Sequence, residues 1–288
     1  MTILVTGATG TVGSQVVKQL VARHADVRVL TRNPEQAELP AAVTAAQGNL
    51  LDVDAMRAAM DGVRTLFLLN AVVADEFTQA LIALNLAREA NIERVVYLSV
   101  IHSDQYVDVP HFAGKFVVER MIEHTRIPAT ILRPAYYINN DLALTGALRD
   151  QGRYSMPVGT TGLQMVDVRD IGEVAAIELL RRETAPDPLP LQRINLVGPD
   201  LLTAPRIANI WTAALGKTIT PVGDPQGLEQ MFRKFGPSWT AYDMRKMAER
   251  FQTDGMLPEA GDVERLENLL RRPLRSYRAF AEDVAAQA

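Results

Sequence analysis

The sequence predicts an α/β protein with a doubly wound parallel sheet and a smaller C-terminal lobe. Three observations carry that expectation. Short β-branched or apolar runs alternate with amphipathic stretches through the first half of the chain. The glycine-rich run Gly7-Ala8-Thr9-Gly10-Thr11-Val12-Gly13 stands between the first apolar run and the first amphipathic stretch. The chain has 288 residues, 48% of them apolar, and a net charge of −4, which suits a soluble protein with a sizeable core.

Taken in order, Thr2-Ile3-Leu4-Val5-Thr6 reads as a buried strand. The helix after it places Val12, Val16 and Leu20 on one face. Further strands are expected at residues 26–30, 42–46, 63–69, 94–99 and 128–132, with helices at 53–60, 77–90 and 112–124 between them. Alternation of this kind implies a parallel sheet covered on both faces. Right-handed crossovers then bring the strands' C-terminal ends to one edge, where ligands bind. In the second half, 168–180 predicts a helix and 192–197 a strand. The proline-rich 186–190 predicts a loop, and 203–215 a helix ending at Gly216. Beyond Gly223 the pattern is helical, broken at Gly236-Pro237 and at 255–258. The expected organisation is therefore a nucleotide-binding domain over 1–150 and a mostly helical lobe over 151–288. That lobe packs on the sheet's ligand edge, and some of its segments return to the sheet.

Gly7, Gly10 and Gly13 sit where a strand turns into a helix. Bare backbone there lets a pyrophosphate approach the amides of a helix N-terminus, whose dipole favours negative charge. That is the dinucleotide site of a Rossmann-like fold, although the spacing is Gly-x-x-Gly-x-x-Gly rather than Gly-x-Gly-x-x-Gly. The plainer alternative is a structural turn. The second strand ends in Thr31-Arg32-Asn33, with no carboxylate to accept from ribose hydroxyls. Arg32 instead offers a planar cation to a 2′-phosphate, so NADPH/NADP is expected over NADH. A solvated arginine is the other reading of that residue.

Several classes are disfavoured. The chain has no cysteine, which removes disulfides and thiolate chemistry. His24, His102, His111 and His124 form no ligand-spaced pair, so no metal is expected. No Walker lysine follows the glycines and no Gly-x-Ser-x-Gly elbow exists. The pairs Arg181-Arg182 and Arg271-Arg272 are too short for a phosphate-tracking patch, so no nucleic-acid partner is expected. No window approaches the ~20 apolar residues that span a bilayer, and no leader is visible; a cytoplasmic location without membrane association is the expectation. Asp52/Asp54 and Asp167/Asp170 read as caps or solvated groups, and Asp141 as a cap or helix start. Asp108-Val109-Pro110 reads as a helix start with Asp108 as cap.

The chain resembles the NmrA-like family of atypical short-chain dehydrogenases/reductases over nearly its whole length. The resemblance rests on Val5 to Gly13, on Arg32 and on Gly48-Asn49-Leu50-Leu51-Asp52. It rests also on Leu132-Arg133-Pro134 followed by Tyr136-Tyr137-Ile138-Asn139-Asn140, on Val166 to Ile171 and on Tyr277-Arg278-Ala279-Phe280. The resemblance implies that Thr9, Thr11, Val12, Arg32, Asn70, Lys115 and Tyr136 to Ile138 lie on the cofactor side. Tyr136, Tyr137 and Asn140 would then line the substrate pocket; packing is the alternative for the two tyrosines. The broader superfamily carries Tyr-x-x-x-Lys on one helix, with a serine on the preceding strand. Here the spacing is His111-Phe112-Ala113-Gly114-Lys115, with Ser99 at the end of the fifth expected strand. Lysine is kept and tyrosine is replaced by histidine.

Histidine can supply a proton near neutrality, but it matches alkoxide chemistry less well than a tyrosine–lysine pair. Acceptors that delocalise charge need less help. The resemblance therefore implies an NADPH-dependent reductase of a small acceptor: a quinone, azo compound, activated alkene or cationic dye. His111 and Lys115 are its candidate catalytic residues, and Tyr106 is a reserve donor. His111 could equally be a polar first-turn residue. The alternative function is a non-catalytic NADP(H) sensor that binds a partner protein. Oligomeric state is left open.

Overall fold

The computed structural model describes residues 2–287. In chain order the first elements are β1 (Thr2–Val5), α1 (Thr11–Ala22), β2 (Asp26–Thr31), β3 (Val43–Gln47), α2 (Val53–Met60), β4 (Val63–Leu68) and α3 (Glu76–Glu89). There follow β5 (Arg94–Leu98), α4 (Pro110–His124), β6 (Ala129–Pro134), β7 (Arg153–Tyr154), α5 (Val168–Thr184) and β8 (Gln192–Leu196). The chain continues through α6 (Ala204–Leu215), β9 (Thr220–Pro221), α7 (Pro225–Arg233), α8 (Ser238–Thr253), α9 (Asp262–Leu270) and α10 (Tyr277–Ala286).

Contacts divide the chain into two compact units. The first comprises the chain up to Val100 with Gly114–Arg133 and Val168–Ile194; the second comprises Ile101–Ala113, Pro134–Asp167 and the chain from Asn195 onward.

The first unit is built on the seven-stranded sheet, in the order β3-β2-β1-β4-β5-β6-β8. The pairs β1–β2, β2–β3, β1–β4, β4–β5 and β5–β6 are all parallel. Strand order reverses between β1 and β4, and that switch point is where open α/β sheets bind ligands. Two-residue alternation sorts the strand side chains to opposite faces. On one face Leu4, Leu66, Leu68, Val95, Tyr97 and Ile131 join Met56, Ala80, Leu84, Val118 and Ile122 of α2, α3 and α4 in a buried apolar cluster. On the other, α5 packs close to α1: a Cβ on Gly172 would stand 2.5 Å from Gln15 Cβ. This face carries a buried polar layer. Thr65 Oγ1 donates to Glu183, Thr130 Oγ1 to Glu178 at 2.8 Å, and Arg182 Nε to Thr130 Oγ1 at 2.7 Å.

In the second unit β7 and β9 pair in parallel. Thr203 caps α6 by accepting from Arg206 N–H, and Gly216 ends it in the left-handed region at φ 65°. Trp211 of α6 donates to the Tyr277 hydroxyl of α10 at 2.9 Å. Some element boundaries shift from expectation. Helix α3 begins at Glu76, α4 at Pro110, and α5 runs on to Thr184. Strands β4 and β5 stop at Leu68 and Leu98. The expected cap at Asp108 is corrected: its carboxylate oxygens instead take Arg250 Nε at 2.7 Å and Lys246 Nζ at 3.2 Å. Asp141 lies inside a short 3-10 turn, Ile138–Leu144.

Candidate active site

In the first unit the glycine turn joins β1 to α1. Gly7 adopts φ 63°, a left-handed value that favours glycine. Its carbonyl accepts from Gly10 N–H at 3.1 Å. Gly10 is the N-cap of α1, and no side-chain cap bond closes the first turn among the described residues. A Cβ on Gly13 would stand 2.0 Å from the Gly7 carbonyl oxygen, so the helix start can lie against the loop only with glycine there. Gly7, Thr9, Gly10 and Thr11 are exposed, while Val12 is 4% exposed, so the side chain of Val12 belongs to the core. Thr6 fixes the neighbouring strand end: Oγ1 donates to Leu69 O at 2.8 Å and accepts from Leu69 N–H at 2.9 Å.

That anchor sets Asn70 just beyond β4. Asn70 is buried, its Nδ2 donates to Glu76 O at 2.8 Å, and its Oδ1 has no partner among the described residues. Glu76 begins α3 and pairs with Lys115 Nζ at 2.6 Å. The ammonium also lies 6.0 Å from the centre of the Tyr97 ring. Burial, followed by the charges of Glu76 and Glu119, holds the Tyr97 phenol well above its usual value. Ser99 is not open to a ligand: its hydroxyl donates to Glu119 at 2.6 Å, and both residues are buried. Arg133 Nε donates to both oxygens of the same carboxylate, at 3.0 and 3.2 Å, so the Arg-Pro element ties β6 to α4. Arg32, just past β2, is exposed and makes no ion pair among the described residues.

In the second unit His111 stands in the first turn of α4, one turn ahead of Lys115 on the same helix. His111 Nδ1 lies 2.5 Å from Oδ2 of Asp243, a wholly buried residue of α8. The other carboxylate oxygen accepts His111 N–H at 3.2 Å, so the α4 terminus is capped by Asp243 and not by Asp108. Tyr106 is spoken for. Its hydroxyl donates to Gly255 O, and burial, then Asp254, pushes its pKa up to about 12 against the opposing pull of Arg250. Tyr136 packs edge-on to Phe251 with ring centres 5.6 Å apart, and its hydroxyl meets Met156 Sδ at 3.4 Å. Ile138 is fully buried, and its N–H donates to Val166 O at 3.0 Å. Tyr137 is half-buried and Asn140 exposed. Asp141 Oδ2 accepts from the hydroxyls of Tyr154, at 3.0 Å, and Tyr277.

The structure thus brings Asn70 and Lys115 together around Glu76, while Arg32 stands apart at the end of β2. Glu76 and Asp243 escaped the sequence reading. Glu76 looks like an ordinary first-turn acid, and Asp243 lies 132 residues from its partner, beyond any local spacing rule.

The chain belongs to the NmrA-like family, whose profile matches residues 1–282. It is 27% identical over 290 residues to an NAD(P)H azoreductase of Xenophilus azovorans, covering 99% of this chain and 98% of that protein. It is 27% identical over 292 residues to a (4-alkanoyl-5-oxo-2,5-dihydrofuran-3-yl)methyl phosphate reductase of Streptomyces griseus, covering 98% of each. The NADPH-dependent quinone oxidoreductase of Escherichia coli, solved with NADPH, shares the fold with a TM-score of 0.85. It is 22% identical, over 98% of this chain and 99% of that one.

Proposed function

We propose that the protein is an NADPH-dependent reductase of a small organic acceptor of quinone, azo, activated-alkene or dye type. The observation that carries this reading is the uncapped glycine turn at the sheet's switch point. No side-chain cap bond occupies the first-turn amides of α1 among the described residues, and Gly13 leaves no room for a side chain. Asn70 Oδ1 is a buried acceptor awaiting a donor, and the exposed guanidinium of Arg32 suits a 2′-phosphate. These residues fit a dinucleotide. The azoreductase and the phosphate reductase, each aligned over nearly the full chain, carry reductase names. Their names point to different acceptors, so the acceptor is proposed as a class.

NADPH supplies a hydride when bound. The chain's own residues supply the rest. The first turn of α1 holds the diphosphate, Arg32 selects the phosphorylated ribose, and Asn70 and Lys115 offer an acceptor and a cation. His111, with Nδ1 engaged by Asp243, provides the proton that a reduced acceptor requires. Tyr136, Tyr137, Ile138 and Asn140 form the acceptor-side segment.

One observation favours the sensor as a second reading: the Ser99 hydroxyl is committed to Glu119, so the superfamily's serine contact to a substrate oxygen is not on offer. NADPH oxidation against menadione, methyl red and N-ethylmaleimide separates the two. Turnover with at least one acceptor supports the reductase. Tight NADP(H) binding with silence across the panel turns the assignment to a sensor.

A further inference from the structure

We propose that Asp243 is the positioning residue of the proton donor: it keeps the hydrogen of neutral His111 on Nδ1, so that Nε2 is the nitrogen that delivers and regains the proton. This rests on the reductase reading. Asp243 has no exposed surface, and Oδ2 meets Nδ1 at 2.5 Å. Nε2 has no hydrogen-bond partner among the described residues. A carboxylate that served only as a helix cap would need the backbone N–H and nothing more. Here one oxygen takes that N–H at 3.2 Å and the other takes the ring. The ring is held from its edge as well, with Phe112 perpendicular to it at 4.6 Å between centres.

Anchoring of the segment does not depend on Asp243 alone. Asp108 binds Arg250 and Lys246 of α8, Tyr106 donates to Gly255 O, and His102 Nε2 meets Leu257 O at 2.8 Å. The segment that carries His111 is therefore tied down at other points. What Asp243 adds is a fixed tautomer and a fixed ring orientation.

The chemistry balances. The acceptor, having gained a hydride from the nicotinamide, carries an extra electron pair and negative charge. The Nε2–H bond of the imidazolium breaks, its electron pair stays on Nε2, and the proton bonds to the reduced acceptor. The neutral ring that results has its hydrogen on Nδ1, bonded to the Asp243 carboxylate, and solvent returns a proton to Nε2.

The test uses the full chain with NADPH and N-ethylmaleimide, menadione or methyl red, whichever turns over. Asp243→Asn is expected to lower kcat about 10- to 100-fold and to leave KM for NADPH within about twofold. Asp243→Asn in a His111→Ala background is expected to cost nothing further. If Asp243→Asn keeps full kcat while His111→Ala loses it, Asp243 has no such role and the reductase reading stands. Should the parent chain turn over none of the three, the reductase reading goes, and this proposal with it. Nitrogen NMR of the parent chain reads the tautomer without any activity or variant. A neutral ring protonated on Nδ1 supports the proposal, and one protonated on Nε2 overturns it.

Discussion

Lys115 and Glu76 meet as an ion pair at 2.6 Å, with side chains only 8% and 9% exposed. The pair joins α4 to the start of α3 beside Asn70. Two charges so enclosed have each given up hydration, and their attraction offsets that loss only while both are present. Glu76→Gln therefore leaves an ammonium buried without a counter-ion. The expected cost is about 3–5 kcal/mol of unfolding free energy. Glu76→Gln combined with Lys115→Met should recover most of that stability. Urea unfolding of the parent and the two variants checks this; equal stability of parent and Glu76→Gln would remove the pair from the account.

Arg32 is the residue we propose to select between the two pyridine nucleotides. It is exposed at the end of β2 and unpaired among the described residues, and no carboxylate stands there to accept from ribose hydroxyls. A charge-assisted contact to a 2′-phosphate is worth about 1.5–3 kcal/mol, so Arg32→Glu should weaken NADPH binding by at least about tenfold. NADH affinity should change little. Calorimetry with both nucleotides gives the two losses side by side, and losses of equal size contradict the assignment.

The parts of the fold that sequence made legible are those written locally. The β-branched runs marked β1, β2 and β4 because alternation and burial act within a few residues. Gly216 marked the end of α6 because capping chemistry is likewise local, whereas Thr203, read as the first helical residue, is its N-cap. Strands β7 and β9 were invisible, since two residues carry no period. The candidate site divides in the same way. Gly7, Gly10, Gly13 and Arg32 announce themselves by position after a strand. Asp243 and Glu76 do not, because a partner for a buried charge is chosen by the folded chain and not by spacing.

Gly13 and Gly114 offer a paired test of why glycine stands where it does. A Cβ at position 13 would lie 2.0 Å from Gly7 O and 2.6 Å from Gly7 C, backbone atoms that cannot swing aside. Gly13→Ala should cost about 1–3 kcal/mol and at least about tenfold in NADPH affinity, because the loop must move from the helix end. Gly114 lies inside α4, and a methyl group there would meet nothing within 4 Å. Gly114→Ala should instead stabilise the chain by up to about 1 kcal/mol through helix propensity. Melting curves and nucleotide titration of both variants decide it. Similar behaviour of the two would mean that close approach is not what glycine serves in the turn.

Asp141 makes stability depend on pH, with a sign that can be worked out. Burial raises its pKa from 3.8 to about 7, against the opposing effect of hydrogen bonds from Tyr277 and Tyr154. In the unfolded chain the group returns to its ordinary value, so between about pH 4 and 7 the folded state holds more protons. Its contribution is fully present below about pH 4 and is lost as pH rises through 7. Three pKa units correspond to an upper limit of about 4 kcal/mol. Asp141→Asn cannot titrate, so the stability difference between parent and variant should shrink or reverse across that window and then level off. Tyr154 and Tyr277 can still donate to the amide oxygen, which keeps the comparison one of charge. Unfolding free energies of both proteins at intervals from pH 4 to 8 test the slope. A difference that stays flat across the window would mean that Asp141 is ionised in the folded protein throughout.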